Sequence, residues 1–156
     1  RLAFRNGEQR VFLGEEDVSD AIRTQDISIA ASNVSAVPQV RAFLFDLQRD
    51  LAKTNHVVMD GRDIGTVVLP HAQVKIFLTA SPEERARRRY EELLEKGMEA
   101  DYEQVLAELK QRDYDDSHRA VAPLVPADDS ILVDSTGLTR EEALQRLLKT
   151  VQEKLS

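Results

Sequence analysis

Val57-Val58-Met59-Asp60-Gly61-Arg62-Asp63-Ile64-Gly65-Thr66 is the stretch on which the fold turns. Three apolar residues in a row, two of them β-branched, read as a short strand buried on both faces, and such strands belong to parallel sheets. Charge and glycine follow at once, at the strand's carboxyl end, where open α/β sheets place their ligands. Glycines at 61 and 65 allow a sharp turn and a close backbone approach to a ligand. Arg62 can fork onto a phosphate, and Asp63 can accept from hydroxyls or an amine. Read by itself, the stretch is equally a glycine turn bearing an Arg–Asp surface pair.

Working outward toward the C-terminus, Val74-Lys75-Ile76-Phe77-Leu78 reads as a second strand. Ser81-Pro82-Glu83-Glu84 combines a cap, a first-turn proline and an acid at the capping-box position, so a helix runs from there to about Lys96 and stops at Gly97. Asp101 and Gln104 open another, to about Asp113, and the polar stretch 114–129 leads to a strand at Ile131-Leu132-Val133-Asp134. Thr139 caps a last helix over 140–154. Strand, helix, strand, helix with buried strands is the signature of an α/β fold with a parallel sheet.

Toward the N-terminus the grammar differs. Pro38 opens an amphipathic helix to about Lys53 with Val40, Phe43, Leu44, Leu47 and Leu51 on its apolar side. Residues 15–36 read as short helices broken near 23–26, and residues 1–13 as a β-hairpin around Asn6-Gly7. The domain boundary falls near residue 56.

Composition narrows the function. The 156 residues carry a formal net charge of −7, which argues against a general nucleic-acid or anionic-membrane binder, since both rely on a basic surface. With no cysteine there is no disulfide framework, thiolate metal site or cysteine nucleophile. His56, His71 and His118 are too scattered for a metal cluster. No apolar run reaches the ~20 residues of a membrane helix, and the reading is of a cytoplasmic protein without membrane or nucleic-acid partners. Any anion must be gripped locally.

Two further constellations could do so. Arg85, Arg88 and Arg89 share one sector of the helix that starts at Pro82, while Ala86, Tyr90, Leu93 and Leu94 form its buried face. Three guanidiniums there suit a polyanion such as a triphosphate; the plainer alternative is a solvated face paired with Glu84, Glu91, Glu92 and Glu95. Arg112-Asp113-Tyr114-Asp115-Asp116-Ser117-His118-Arg119 offers two more phosphate arginines with Asp116 as a hydroxyl acceptor, or else a self-satisfied salt-bridge network. No G-x-x-x-x-G-K-[ST] occurs among the 156 residues.

Taken in order, the segments Ile22-Arg23-Thr24-Gln25, Pro38-Gln39-Val40-Arg41, Asp60-Gly61-Arg62-Asp63-Ile64-Gly65-Thr66-Val67-Val68, Val74-Lys75-Ile76-Phe77-Leu78, Glu83-Glu84-Arg85-Ala86, Arg112-Asp113, Arg119-Ala120-Val121-Ala122-Pro123-Leu124 and Asp134-Ser135-Thr136 resemble the bacterial cytidylate kinases across essentially the whole chain. The resemblance implies transfer of the ATP γ-phosphoryl group to CMP or dCMP, with Mg2+ accompanying ATP. It also implies a P-loop NTPase-like parallel sheet with flanking helices plus a small α+β substrate-binding insert. Residues 1–56 would be the nucleoside-monophosphate-binding insert and linking helix. Residues 57–156 would be the remainder of the core, with a lid at about 82–125.

Residue roles are implied by the same resemblance. Ser32 and Arg41 would read the cytosine. Arg62, Arg112 and Arg119 would serve the phosphate in catalysis, with Asp63 and Asp116 as sugar-side acceptors. Arg85, Arg88 and Arg89 would face the ATP phosphates from the lid, and Asp60 would sit behind a magnesium-bound water. In that family an N-terminal portion with the phosphate-binding loop precedes the residue matching Arg1, and its strand lies between those at 57–60 and 74–78. The resemblance therefore implies a chain that is inactive alone, with a missing N-terminal segment or a second chain completing the sheet. A reading of different class is a non-catalytic nucleotide- or anion-binding module.

Overall fold

Asn6 and Gly7 both take left-handed backbone angles, φ 53° and 81°, the pair of conformations that a two-residue hairpin turn requires. They fold β1 (Leu2–Arg5) back on β2 (Glu8–Leu13), with Leu2 opposite Val11 and Arg5 opposite Glu8. A second turn at Gly14 brings β3 (Glu16–Asp17) onto the other edge of β2, giving an antiparallel sheet in the order β1-β2-β3. Phe12 is buried on this sheet with the guanidiniums of Arg1 and Arg5 at 4.8 and 4.7 Å from its ring centre, a cation–π arrangement that helps to cover the ring. The computed structural model describes residues 1–35 and 37–156, without the side chains of Gln25, Ser28, Ile29 and Ser32.

Ser19 pins the sheet to the chain beyond β3. Its buried hydroxyl accepts from the amide of Val11 at 2.8 Å and donates to the Asp17 carboxylate at 2.6 Å, and Arg10 Nε donates to the same carboxylate. Hydrogen bonds from the Ser19 hydroxyl and amide, then from Arg10, hold the Asp17 carboxyl down at about 2 from an ordinary 3.8. A carboxyl lowered on folding stabilises the fold at pH above its unfolded value and loses that contribution as pH falls through its folded one. The Ser19 amide signal, followed by NMR, is therefore expected to lose its folded position as pH drops from about 4 toward 2. Asp17→Asn should abolish that acid step.

A one-turn 3-10 helix, Ala21–Arg23, leads into α1 (Gln25–Ser35) and then α2 (Pro38–Thr54), which starts at its proline as the sequence predicts. Residues Arg1–Asn55 form one compact unit and His56–Ser156 a second.

The second unit is built on a parallel pair, β4 (Ile76–Thr79) and β5 (Ile131–Asp134), in register from Ile76 opposite Ile131 to Thr79 opposite Asp134. Three helices accompany it: α3 (Pro82–Glu95), α4 (Tyr102–His118) and α5 (Arg140–Leu155). Each begins where the sequence places a cap. Ser81 accepts from the Glu84 amide, Asp101 from that of Gln104, and Thr139 and Glu142 make a reciprocal capping box. These bonds satisfy amides that a helix start leaves unpaired. Val68, Ala80, Ala86, Leu93 and Val133 are the buried apolar residues, and Tyr90 meets Tyr102 edge to face across α3 and α4.

Three expectations need correction. Residues 57–59 are not a strand: they take no regular secondary structure and join no ladder among the described residues, and Val58 is fully exposed at 103%. A strand exists only through its neighbour's hydrogen bonds, and β4 spends its one described ladder on β5. The helix expected to end near Asp113 continues to His118, so the stretch from 114 begins as helix rather than loop. Leu94 lies off the buried face of α3, nearly half exposed, whereas Ala86 and Leu93 do face inward.

Candidate functional site

After Asp60 the chain tightens into a single π-turn, Ile64–Val68, in which the amides of Val68 and Leu69 reach back five residues to the carbonyls of Asp63 and Ile64. Such turns are rare and concentrate at functional sites. Gly61 is required here by the chain itself, because a Cβ would stand 2.7 Å from Cγ1 of Ile64. At neither Gly61 nor Gly65 is a left-handed angle used, so the close approach expected from a ligand is made at Gly61 by Ile64. At Gly65 an added Cβ would come no nearer than 3.4 Å to the Lys75 stem, an ordinary contact. The Lys75 side chain is 8% exposed, donates to the Pro70 carbonyl at 2.6 Å and forms an ion pair with Asp129.

Arg62 reaches from this turn to α4, where its Nε donates to Asp116 at 3.1 Å across 54 residues of sequence. Asp116, with its side chain 16% exposed, is also paired with Arg112 at 4.0 Å and Arg119 at 3.8 Å. Helical spacing accounts for the last two, since 112, 116 and 119 are i, i+4 and i+7 on one face. Arg119 is set at the C-cap of α4, and its Nε donates to the Ala122 carbonyl at 2.6 Å. Ala122 takes a left-handed angle, φ 50°, and the Leu124 amide closes the loop on the Asp116 carbonyl. Arg119 Nη2 is buried without an acceptor among the described residues. A guanidinium nitrogen in that position is owed a hydrogen bond.

The α3 arginines are each engaged. Arg85 makes a two-pronged pair with Asp113 of α4 while its Nε donates to the Ala80 carbonyl, and the carboxylate raises its pKa. Arg88 donates to Glu84 and to the carbonyls of Ser135 and Leu138, at 2.8 and 3.1 Å, tying α3 to the turn after β5. Arg89 pairs with Glu92. Asp113 and Ser135 carry no role in the sequence reading. The pairing of Asp113 is not legible in the sequence, since its partner lies 28 residues away; Ser135, buried and donating to the Thr79 carbonyl, joins the carboxyl ends of β4 and β5.

Of the other expected residues, Asp63 opens the π-turn, Asp60 is exposed just before it, and Arg41 is on α2 in the first unit. The side chain of Ser32 lies outside the described residues. Among the described residues no group of three or more His, Asp or Glu is arranged to hold a metal ion.

Arg62, Arg112 and Arg119 thus converge on one acid, and one of them keeps a buried nitrogen without an acceptor among the described residues. The sequence matches the cytidylate kinase family over residues 1–153. The chain belongs to that family. It is 52% identical over 149 residues to the cytidylate kinase of Mannheimia succiniciproducens, covering 96% of this chain and 66% of that protein. With the cytidylate kinase of Caldicellulosiruptor saccharolyticus it shares 56% identity over 143 residues, 92% of this chain and 63% of that one. With that of Carboxydothermus hydrogenoformans it shares 53% over 146 residues, 94% and 66% respectively. The chain therefore spans about two thirds of the length of these cytidylate kinases, which are phosphotransferases, and its mixed α/β architecture with a parallel pair is consistent with a nucleoside monophosphate kinase. Among the described residues no helix is long and apolar enough to cross a membrane.

Proposed function

We propose that this chain forms the monophosphate-binding and lid portion of a cytoplasmic (d)CMP kinase of P-loop NTPase-like fold, whose reaction moves the γ-phosphoryl group of ATP to CMP or dCMP. The observation that carries the reading is the meeting of Arg62, Arg112 and Arg119 at Asp116, with the Arg119 nitrogen left buried and unpaired. A phosphate monoester brings two charges and three acceptor oxygens, the complement such a cluster lacks.

In this reading Arg62, Arg112 and Arg119 hold the CMP phosphate and neutralise charge as it becomes the attacking group in an in-line displacement. No side chain forms a covalent intermediate. Asp63 and Asp116 face the sugar, Ser32 and Arg41 of the first unit read the cytosine, and Arg85, Arg88 and Arg89 turn to the ATP phosphates by exchanging their present partners. Magnesium arrives with ATP. Asp60 is exposed and carries no described partner, which suits contact with a magnesium-bound water, because this ion dehydrates reluctantly and keeps several waters. Residues 1–56 act as the substrate-binding insert, and a further protein segment supplies the triphosphate loop.

Calorimetric titration tests the reading. CMP is expected to bind the chain, and Arg41→Ala to weaken CMP by about 1.5–3 kcal/mol, the worth of a charge-assisted hydrogen bond, while leaving inorganic phosphate affinity unchanged. Absence of CMP binding, or equal losses for both ligands, would overturn it.

A further inference from the structure

Asp116 stands in an unusual place for a phosphate site. Among the described residues it is the only carboxylate paired with Arg62, Arg112 or Arg119, and it is paired with all three. It is mostly buried, and its backbone is doubly committed, to α4 and to the Leu124 amide that closes the 119–124 loop. A carboxylate fixed in this way competes for the guanidiniums at a high effective concentration, because no entropy of association is lost in meeting them. From its three arginines and one acid the cluster keeps two positive charges, one of them beside the unsatisfied Arg119 nitrogen.

We propose that Asp116 is a specificity-determining residue that makes the cluster discriminate doubly charged phosphate groups from singly charged anions. The proposal rests on the phosphate-binding reading and extends it from which group is bound to which charge state is admitted. A free monocarboxylate could reach Arg119 Nη2, but it meets Asp116's own charge on arrival and has no second charge with which to draw Arg62 from its hydrogen bond to that carboxylate. A phosphate dianion has the second charge and the extra acceptors to draw Arg119 Nη2 and the two neighbouring forks past Asp116. Selectivity then comes from a repulsive element built into the site, not from the attraction alone.

The experiment is a calorimetric titration of the chain with inorganic phosphate, acetate and CMP at about pH 7.5, where phosphate is mainly dianionic. The unchanged chain is expected to bind phosphate well ahead of acetate. Asp116→Asn is expected to raise acetate affinity at least roughly tenfold, the equivalent of one competing charge-assisted bond, and to narrow the phosphate-to-acetate ratio accordingly. Asp116→Glu should keep the original ratio. Asp115→Asn removes the same charge one residue away, from a carboxylate bonded to Gln111 and to none of the three arginines, and should move neither ligand more than about twofold. If Asp116→Asn weakens both anions or leaves their ratio unchanged, or if Asp115→Asn reproduces its effect, the proposal falls. Should Asp116→Asn not melt cooperatively, Asp116→Ser is read by the same criteria. CMP separates the two levels: failure of the unchanged chain to bind CMP sinks the kinase reading, whereas CMP binding with an unmoved anion ratio sinks only the role of Asp116.

Discussion

In a phosphotransfer-competent protein containing this chain, Arg119→Ala is expected to lower kcat roughly 10²–10³-fold, the usual cost of removing one donor aimed at charge that grows in the transition state. Arg119 is the arginine for which the geometry is most demanding. Its Nε is spent on the Ala122 carbonyl, which fixes the plane of the fork, and its Nη2 is buried with no acceptor among the described residues. A group held so, and still unsatisfied, is preorganised: it has little rotamer freedom left to lose when an oxyanion arrives. kcat and kcat/KM should therefore fall together. A rise in KM alone, with kcat intact, would show that Arg119 binds the ground state and transition state equally.

A larger effect is expected for the chain by itself. The 156 residues on their own should transfer phosphate from ATP to CMP at a rate near background, against roughly 1–100 per second for kinases of ordinary competence. The reason is in the inventory of donors. No G-x-x-x-x-G-K-[ST] occurs in these residues, so the backbone amides, lysine and magnesium-holding hydroxyl that cradle β- and γ-phosphates in such enzymes have no counterpart here. Arg85 and Arg88 cannot make good the loss while one is locked to Asp113 and the other to the carbonyls of the 135–138 turn. A coupled assay on the purified chain that reports turnover of ordinary kinase magnitude would refute this.

The features legible directly in the sequence are local. Ser81, Asp101 and Thr139 cap helices, and Asn6-Gly7 turns a hairpin, because each interaction spans three residues or fewer and its partners are the backbone itself. Residues 57–59 mislead because two valines and a methionine satisfy the pattern of a buried strand whether or not a neighbour is there to complete the ladder. The convergence at Asp116 is half legible. The i, i+4 and i+7 spacing of Arg112, Asp116 and Arg119 puts them on one face, but the arrival of Arg62 from 54 residues away is invisible to periodicity and is reached only through family resemblance. The Arg85–Asp113 clamp joins two segments that the resemblance includes, but that they pair is not legible, since a tertiary ion pair leaves no mark on local order.

The parallel pair β4–β5 has a bearing on how the molecule behaves in a tube. Two parallel strands make a narrow ribbon, and this one carries Leu78 and Leu132 more than half exposed, close in sequence to an α5 whose Leu144, Leu148 and Leu155 are also open. Unprotected strand edges with apolar flanks are templates for self-association. What opposes that is the net charge of −7, a long-range repulsion whose reach shrinks from about 30 Å in 0.01 M salt to about 8 Å at 0.15 M. Shelf life and ionic strength should thereby be linked: the chain is expected to keep best in dilute buffer, with light scattering rising as salt screens the repulsion.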